Sequence, residues 1–535
     1  MKTQNAFQRV IALVALSALA ACGGAGSGPY AATNSTIPPA VGGNPGSGLM
    51  GRIVGVGDSL TAGTQSDAML GQLTPTVTSP VSGFPGNFVP PTQFNGFWSL
   101  LYEQATGLTP TQMATPGTSV LPLIAGPGLG SQIVLGIPPE PVSNSHPSCD
   151  TFNQAAYSLG TYGATRLNTT APTYDLGVPG ITAHEALTMT GPLAPTCQTI
   201  PGIPANVAGL LQVTGSESNM FYPMLGSYAS SVSPLTEVNA AVALRPTLAT
   251  VWLGANDMLH YTFSGGLFGA VDTPAQMQQD ITTTIQKLQA VGAKVAVANL
   301  PNILEAAQFF QGGTPPATVG GLPTCLVQNY TYCAVSASLT PAVGAPTAGG
   351  IANLIVASVQ ANNGVGPNGY LTEAGLFCAI GEATGGAPSI NLDNCTGTVG
   401  AKGSGMGEFY LTDAFAANVQ SLNTGYNTAI AAAATATGVP LVDVASTIDQ
   451  IHNAAAPGFA LAASVNPGKC CTAVFGGGLF SLDGLHPSNT GYALIANLWI
   501  QAIDAKYGAT MAPVNIAAVY NGTAPYLYPD PYAQH

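Results

Sequence analysis

The sequence predicts an α/β domain with a central parallel sheet of about five strands and helices on both faces. Three observations carry this. Short apolar runs of strand length recur along the chain, and two of them run into glycine at Gly57 and Gly254. Helix-length segments alternate with those runs, the rhythm of parallel strands joined by crossover helices. The 535-residue chain is 46% hydrophobic, enough to bury a sizeable core and too apolar for a disordered segment.

Local signals justify each element in turn. Arg52–Gly57 is a short apolar strand that runs into Gly57-Asp58-Ser59-Leu60, and Phe97–Gln104 reads as part of a helix. Tyr174–Val178 is the second strand, and Leu248–Leu253 the third, ending at Gly254. Thr273 and Pro274 open a helix to about Val291, because threonine caps free N–H groups and proline suits the first turn. Lys294–Leu300 is the fourth strand. An Ala-rich helix, Ala414–Thr437, stops at Gly438 and leads to the fifth, Val439–Val444. Ser488–Tyr507 is the closing helix.

Charge is scarce. Asp, Glu, Lys and Arg make up 6% of the chain, against about 25% in an average soluble domain. Ten basic and 23 acidic residues leave a net charge of −13. That balance argues against nucleic acid, which needs clustered Lys and Arg, and against electrostatic docking on anionic lipid.

The N-terminus indicates the compartment. Lys2 and Arg9 precede an apolar run, Val10–Ala21, too short to cross a bilayer and typical of a signal peptide over residues 1–21. The run ends in Leu19-Ala20-Ala21-Cys22-Gly23, which resembles the lipobox of bacterial lipoproteins. The resemblance implies cleavage before Cys22, acylation of its thiol, and, with Gly23 rather than Asp following, an outer-membrane address. Membrane contact would then be through the lipid anchor only. Residues 22–49 are uncharged and rich in Gly, Ser, Ala and Pro, a flexible tether.

A single domain is expected over residues 50–510, with 511–535 as a C-terminal tail whose tyrosines pack over it. Long stretches rich in Gly, Pro, Thr and Ser interrupt the domain at about 64–170, 190–245 and 305–410. Structureless loops of that length are uncommon inside compact domains, so they read as insertions at one end of the sheet. Eight cysteines follow Cys22, namely Cys149, Cys197, Cys325, Cys333, Cys378, Cys395, Cys470 and Cys471. Their even number in an exported chain suggests up to four disulfides stapling these insertions. Closeness along the chain favours 325–333 and 378–395. No Cys-x-x-Cys pair or His grouping points to zinc.

Acyl transfer needs a nucleophile, a base, an orienter for the base and donors for an oxyanion. Such groups collect at the carboxyl ends of parallel strands. Four places qualify: Ser59 in Gly57-Asp58-Ser59-Leu60, Gly180 in Gly177-Val178-Pro179-Gly180, Asn256 in Gly254-Ala255-Asn256-Asp257, and Asp483 with His486 in Asp483-Gly484-Leu485-His486. In this order they resemble the sequence blocks of the GDSL or SGNH hydrolase superfamily. That resemblance implies a three-layer sandwich and hydrolysis of carboxylic esters without metal or organic cofactor. It assigns Ser59 as nucleophile, His486 as general base and Asp483 as its orienter. The N–H groups of Ser59 and Gly180 and the amide of Asn256 become the oxyanion hole. Asp58 and Asp257 read as structural supports of their turns, and His184 and His260 as ordinary histidines. The insertions depart from compact members and leave the substrate pocket unassigned. Apolar stretches Ile133–Ile137 and Ile351–Val356 favour an apolar acyl ester, hence a lipase or esterase. A carbohydrate acetylesterase is the alternative, and a non-catalytic cell-surface binding protein the competing class.

Overall fold

The computed structural model describes residues 48–65, 68–69, 71, 92–115, 119–124, 129–130, 167, 172–189, 224–225, 235–266, 272–306, 309–312, 348–372, 375–376, 378–379, 382, 389–394, 406–407, 409–452, 479–481, 485–526 and 530. The signal peptide, Cys22, Ile133–Ile137, Asp483 and every cysteine except Cys378 lie outside these. Along the chain the strands are β1 (Ile53–Gly57), β2 (Ala68–Met69), β3 (Leu129–Gly130), β4 (Leu248–Trp252), β5 (Lys294–Ala298), β6 (Phe309–Gln311), β7 (Tyr370–Thr372), β8 (Tyr410–Leu411) and β9 (Leu441–Val442). The main helices are α1 (Phe97–Thr106), α2 (Ala183–Thr188), α3 (Glu237–Leu244), α4 (Ala255–Phe263), α5 (Pro274–Ala290), α6 (Ala348–Asn363), α7 (Asp413–Thr437), α8 (Val444–His452), α9 (Asn489–Tyr507) and α10 (Ile516–Asn521).

The protein is mixed α/β, with a parallel sheet in the order β1-β4-β5-β9. All residues of β1 and β4 are buried. Their near-continuous apolar sequence follows from having both faces covered. Among the described residues the sheet has four strands, where about five were expected. Tyr174–Val178 does run beside β1: Gly55 N–H donates to Tyr174 O (2.8 Å), and Val178 N–H to Gly57 O (2.9 Å). It forms one isolated parallel bridge, Gly55 to Asp175, and no ladder. The Asp175 carboxyl captures the Gly177 N–H at 3.1 Å and Pro179 follows with no N–H to give, so the backbone turns instead of extending.

Helix ends follow local chemistry. Thr273 Oγ1 accepts from Gln276 N–H at the start of α5, and Ser488 Oγ from Gly491 N–H at the start of α9. Two groups of helices pack on the strands. In one, Phe97 of α1 stacks on Trp499 of α9 with ring centroids 5.3 Å apart and meets Trp252 of β4 edge-on at 5.2 Å; such pairs contribute about 0.5–1.5 kcal/mol beyond area burial. In the other, α5 lies against α7 and β5, and α3 against β1. The C-terminal segment joins the first group: Val514, Ile516, Val519 and Tyr526 are buried, and Asn497 bonds both the N–H and the carbonyl of Val514.

A smaller antiparallel sheet, β6-β7-β8, forms a second core with α6. Ile355, Val359, Leu371, Leu376, Ile390 and Phe409 fill it. Ile355, within the apolar stretch 351–356, is therefore spent on packing. Cys378, half-buried beside this core, is disulfide-bonded. Among the described residues no helix is long and apolar enough to cross a membrane.

Candidate active site

Parallel pairing brings the carboxyl ends of β1 and β4 level, with Gly57 opposite Trp252. The chain leaves β1 through a tight turn in which Ala62 N–H donates to Asp58 O (3.0 Å) and Thr64 N–H to Ser59 O (2.9 Å). Asp58 Oδ1 accepts the Leu60 N–H at 2.9 Å. This holds Ser59, 9% exposed, at the strand end. Gly177 presses against the same turn. A Cβ there would lie 2.7 Å from Asp58 O and 2.8 Å from Ala62 N, so only glycine fits.

His486 arrives from 427 residues away, and its Nε2 lies 2.8 Å from Ser59 Oγ. Its backbone is pinned: the Ser481 N–H and hydroxyl both donate to His486 O, at 2.8 and 3.0 Å, and Ser488 N–H to Leu479 O. The start of α9 is also tied to the segment that follows Ser59. Gln65 Nε2 donates to Asn489 Oδ1 (2.8 Å), and the Tyr492 hydroxyl to Thr64 O (2.7 Å). With Nε2 toward the serine, Nδ1 is the nitrogen for an orienting acceptor. Asp483, expected in that role, lies outside the described residues.

Gly180 follows Pro179 with φ +89°, a left-handed conformation that glycine adopts without steric cost. Asn256 sits in the first turn of α4, 6% exposed. Its Nδ2 donates to Ile181 O at 3.0 Å. A primary amide has two N–H groups, so one bond locks the side chain to the glycine block and the other N–H remains available. Asp257 adds a second tie. Its Oδ2 accepts from Ala183 N–H at 3.1 Å, so it braces the glycine block 74 residues away as well as its own turn.

The site's electrostatics come from buried acids. Burial raises Asp58 to about 6, opposed by the Leu60 N–H and the nearby His486. Burial raises Asp175 to about 8, opposed by the Gly177 N–H. Glu237, fully buried, accepts the Gly57 N–H at 2.6 Å. Burial first, then the neighbouring charges of Asp58 and Asp175, hold it well above the usual carboxylate range. On the Asn256 side, Asp257 and Asp272 are both raised, chiefly by burial, with each carboxyl acting on the other. The Tyr426 hydroxyl fixes Asp272 through its carbonyl at 2.6 Å. Half-buried His184 pairs with Asp280 at 3.3 Å, and that hydrogen bond raises its pKa.

Ser59 and His486 are thus brought into contact, and Gly180 and Asn256 are linked through Ile181. Sequence reasoning missed Glu237, Asp175, Asp272 and Gln65. Glu237 follows the cap Thr236 and looks like an ordinary first-turn acid; its tie to Gly57 has no local signature. Among the described residues no group of three His, Cys, Asp or Glu could hold a metal. The imidazole can take the proton of the serine hydroxyl as that oxygen attacks an electrophile. Comparison with protein-family models, curated proteins and solved structures found no match.

Proposed function

We propose that the chain is a serine hydrolase of the SGNH type acting on carboxylic esters. The observation that carries this is the 2.8 Å contact between Ser59 Oγ and His486 Nε2 at the carboxyl end of a parallel strand. Ser59 Oγ forms a bond to the ester carbonyl carbon while His486 takes its proton. Collapse of the tetrahedral adduct breaks the bond to the alcohol oxygen, which leaves with that proton. Water then attacks the acyl-enzyme by the same route, releasing the acid and restoring Ser59. Asp483 is the proposed partner of Nδ1. The N–H groups of Ser59 and Gly180, with the spare N–H of Asn256, are the proposed oxyanion donors. Binding that oxyanion with fixed dipoles is where most of the rate enhancement would arise.

Hydrolysis of p-nitrophenyl esters from acetate to palmitate, by the wild type beside Ser59→Ala, tests the reading. Ser59→Ala should lower kcat/KM by about 10³-fold or more at an unchanged melting temperature. A maximum at long chains supports a lipase or esterase, and one at acetate a carbohydrate acetylesterase. Folded wild-type protein inert toward every chain length would sink the hydrolase reading and favour the binding protein.

A further inference from the structure

His486 lies four residues before Thr490, the second residue of α9, so whatever fixes the first turn of that helix fixes the imidazole. The first N–H groups of a helix have no acceptor within it. Here three side chains from different places meet that turn. Ser488 takes the Gly491 N–H at 3.2 Å, and Asn489 Oδ1 is held by Gln65 of the nucleophile's segment. The third comes from the far end of the chain. Asp530 Oδ2 accepts both the N–H and the hydroxyl of Thr490, at 2.7 and 2.6 Å. Asp530 is fully buried and Thr490 is 1% exposed. The Asp530 N–H is bonded in turn to Tyr520 O at 2.9 Å, at the end of α10. A carboxylate at a helix N-terminus also meets the positive end of the helix dipole.

We propose that Asp530 is a positioning residue for His486, clamping the first turn of α9 together with Gln65. This deepens the hydrolase reading and rests on it. Without the clamp, α9 keeps its cap and its apolar face but loses one of the long-range ties that set where its first turn sits. The imidazole then samples positions out of reach of the serine, and a misplacement of about 1 Å can cost on the order of 10²-fold in rate.

The test uses the full chain carrying Asp530→Ala, Asp530→Asn and Thr490→Val. Ester turnover is normalised to Ser59 labelled by a fluorophosphonate, and hydrogen exchange is followed at the Thr490 and Gly491 amides. Asp530→Ala should lower kcat roughly 10- to 100-fold with KM little changed, and speed exchange at both amides. Asp530→Asn, which keeps an oxygen for the Thr490 N–H, and Thr490→Val, which keeps the N–H, should fall between it and wild type. Loss of melting temperature with kcat per labelled site unchanged in all three variants would overturn the proposal. So would unchanged exchange in all three. If wild-type protein turns over no ester, the hydrolase reading falls by that result alone, and exchange still decides the clamp. Should Asp530→Ala fail to fold, the two milder variants carry the same comparison.

Discussion

The two hydrophobic cores of this chain handle polar groups in opposite ways. Around the small sheet β6-β7-β8, amides and hydroxyls close the margins with satisfied bonds. Asn362 donates to Ile390 O at 2.6 Å, Asn363 to Asn391 Oδ1 at 3.1 Å, and the Tyr410 hydroxyl to Asp393 at 2.9 Å. Around the parallel sheet, fully buried acids collect at the strand ends instead, with backbone N–H groups as their donors: Asp58 on Leu60, Asp175 on Gly177, Glu237 on Gly57 and Asp257 on Ala183. Burying a carboxylate without a cation is costly, and the group responds by holding its proton. These four acids bond the backbone next to Ser59, Gly180 and Asn256. The difference separates the region proposed to carry chemistry from one that only packs.

Three measurements would break or sharpen this contrast. The largest effect is expected in the chemical region. Asn256→Ala removes the proposed oxyanion donor and the tie to Ile181, and should lower kcat on p-nitrophenyl acetate by about 10²–10³-fold. A kcat close to wild type would remove Asn256 from the site. In the packing region the effect should appear in stability instead. Leu371, fully buried in β7, leaves a cavity on Leu371→Ala that costs about 2–5 kcal/mol. Calorimetry should show an earlier unfolding transition, while kcat on the acetate ester stays at the wild-type level. A matching collapse of kcat would mean that the two regions are not separable.

The smallest effect is on pH dependence. Asp175 and Asp58 are raised by burial from 3.8 to about 8 and about 6. A folded-state pKa above the unfolded one means that the native state holds protons the unfolded chain has released. That stability is present below about pH 4 and is lost as pH rises through the folded values. The melting temperature should therefore fall as pH is raised from about 4 to 8. Asp175→Asn, which keeps an acceptor for Gly177 and adds its own donors, should flatten that slope. A melting temperature that rises steadily over this range would contradict the protonated, buried state of these acids.

Much of the frame was legible in advance because its signals are local. Thr273-Pro274, Gly438 and Ser488 mark helix ends through hydrogen bonds or backbone conformations within a few residues, and each occurs where expected. The strand positions were legible too, because strands buried on both faces leave an unbroken apolar run. Tyr174–Val178 was over-read: its composition suits a strand, but one side-chain bond from Asp175 to Gly177 diverts it. The small sheet was not legible, since its strands are two or three residues long and sit in composition that reads as loop.

The sequence by itself determined the alternation of strand and helix, the caps, and the order in which Ser59, Gly180, Asn256 and His486 occur. All of these depend on neighbours along the chain. Only the tertiary structure decided that His486 reaches Ser59, that Asn256 and Asp257 both brace the block around Gly180, that Glu237 holds Gly57, and that Asp530 grips the helix after His486. Each of these bonds joins residues tens to hundreds of positions apart. Where burial leaves a backbone N–H no water to bond, as at Gly57, Ala183 and Thr490, a distant side chain supplies the acceptor.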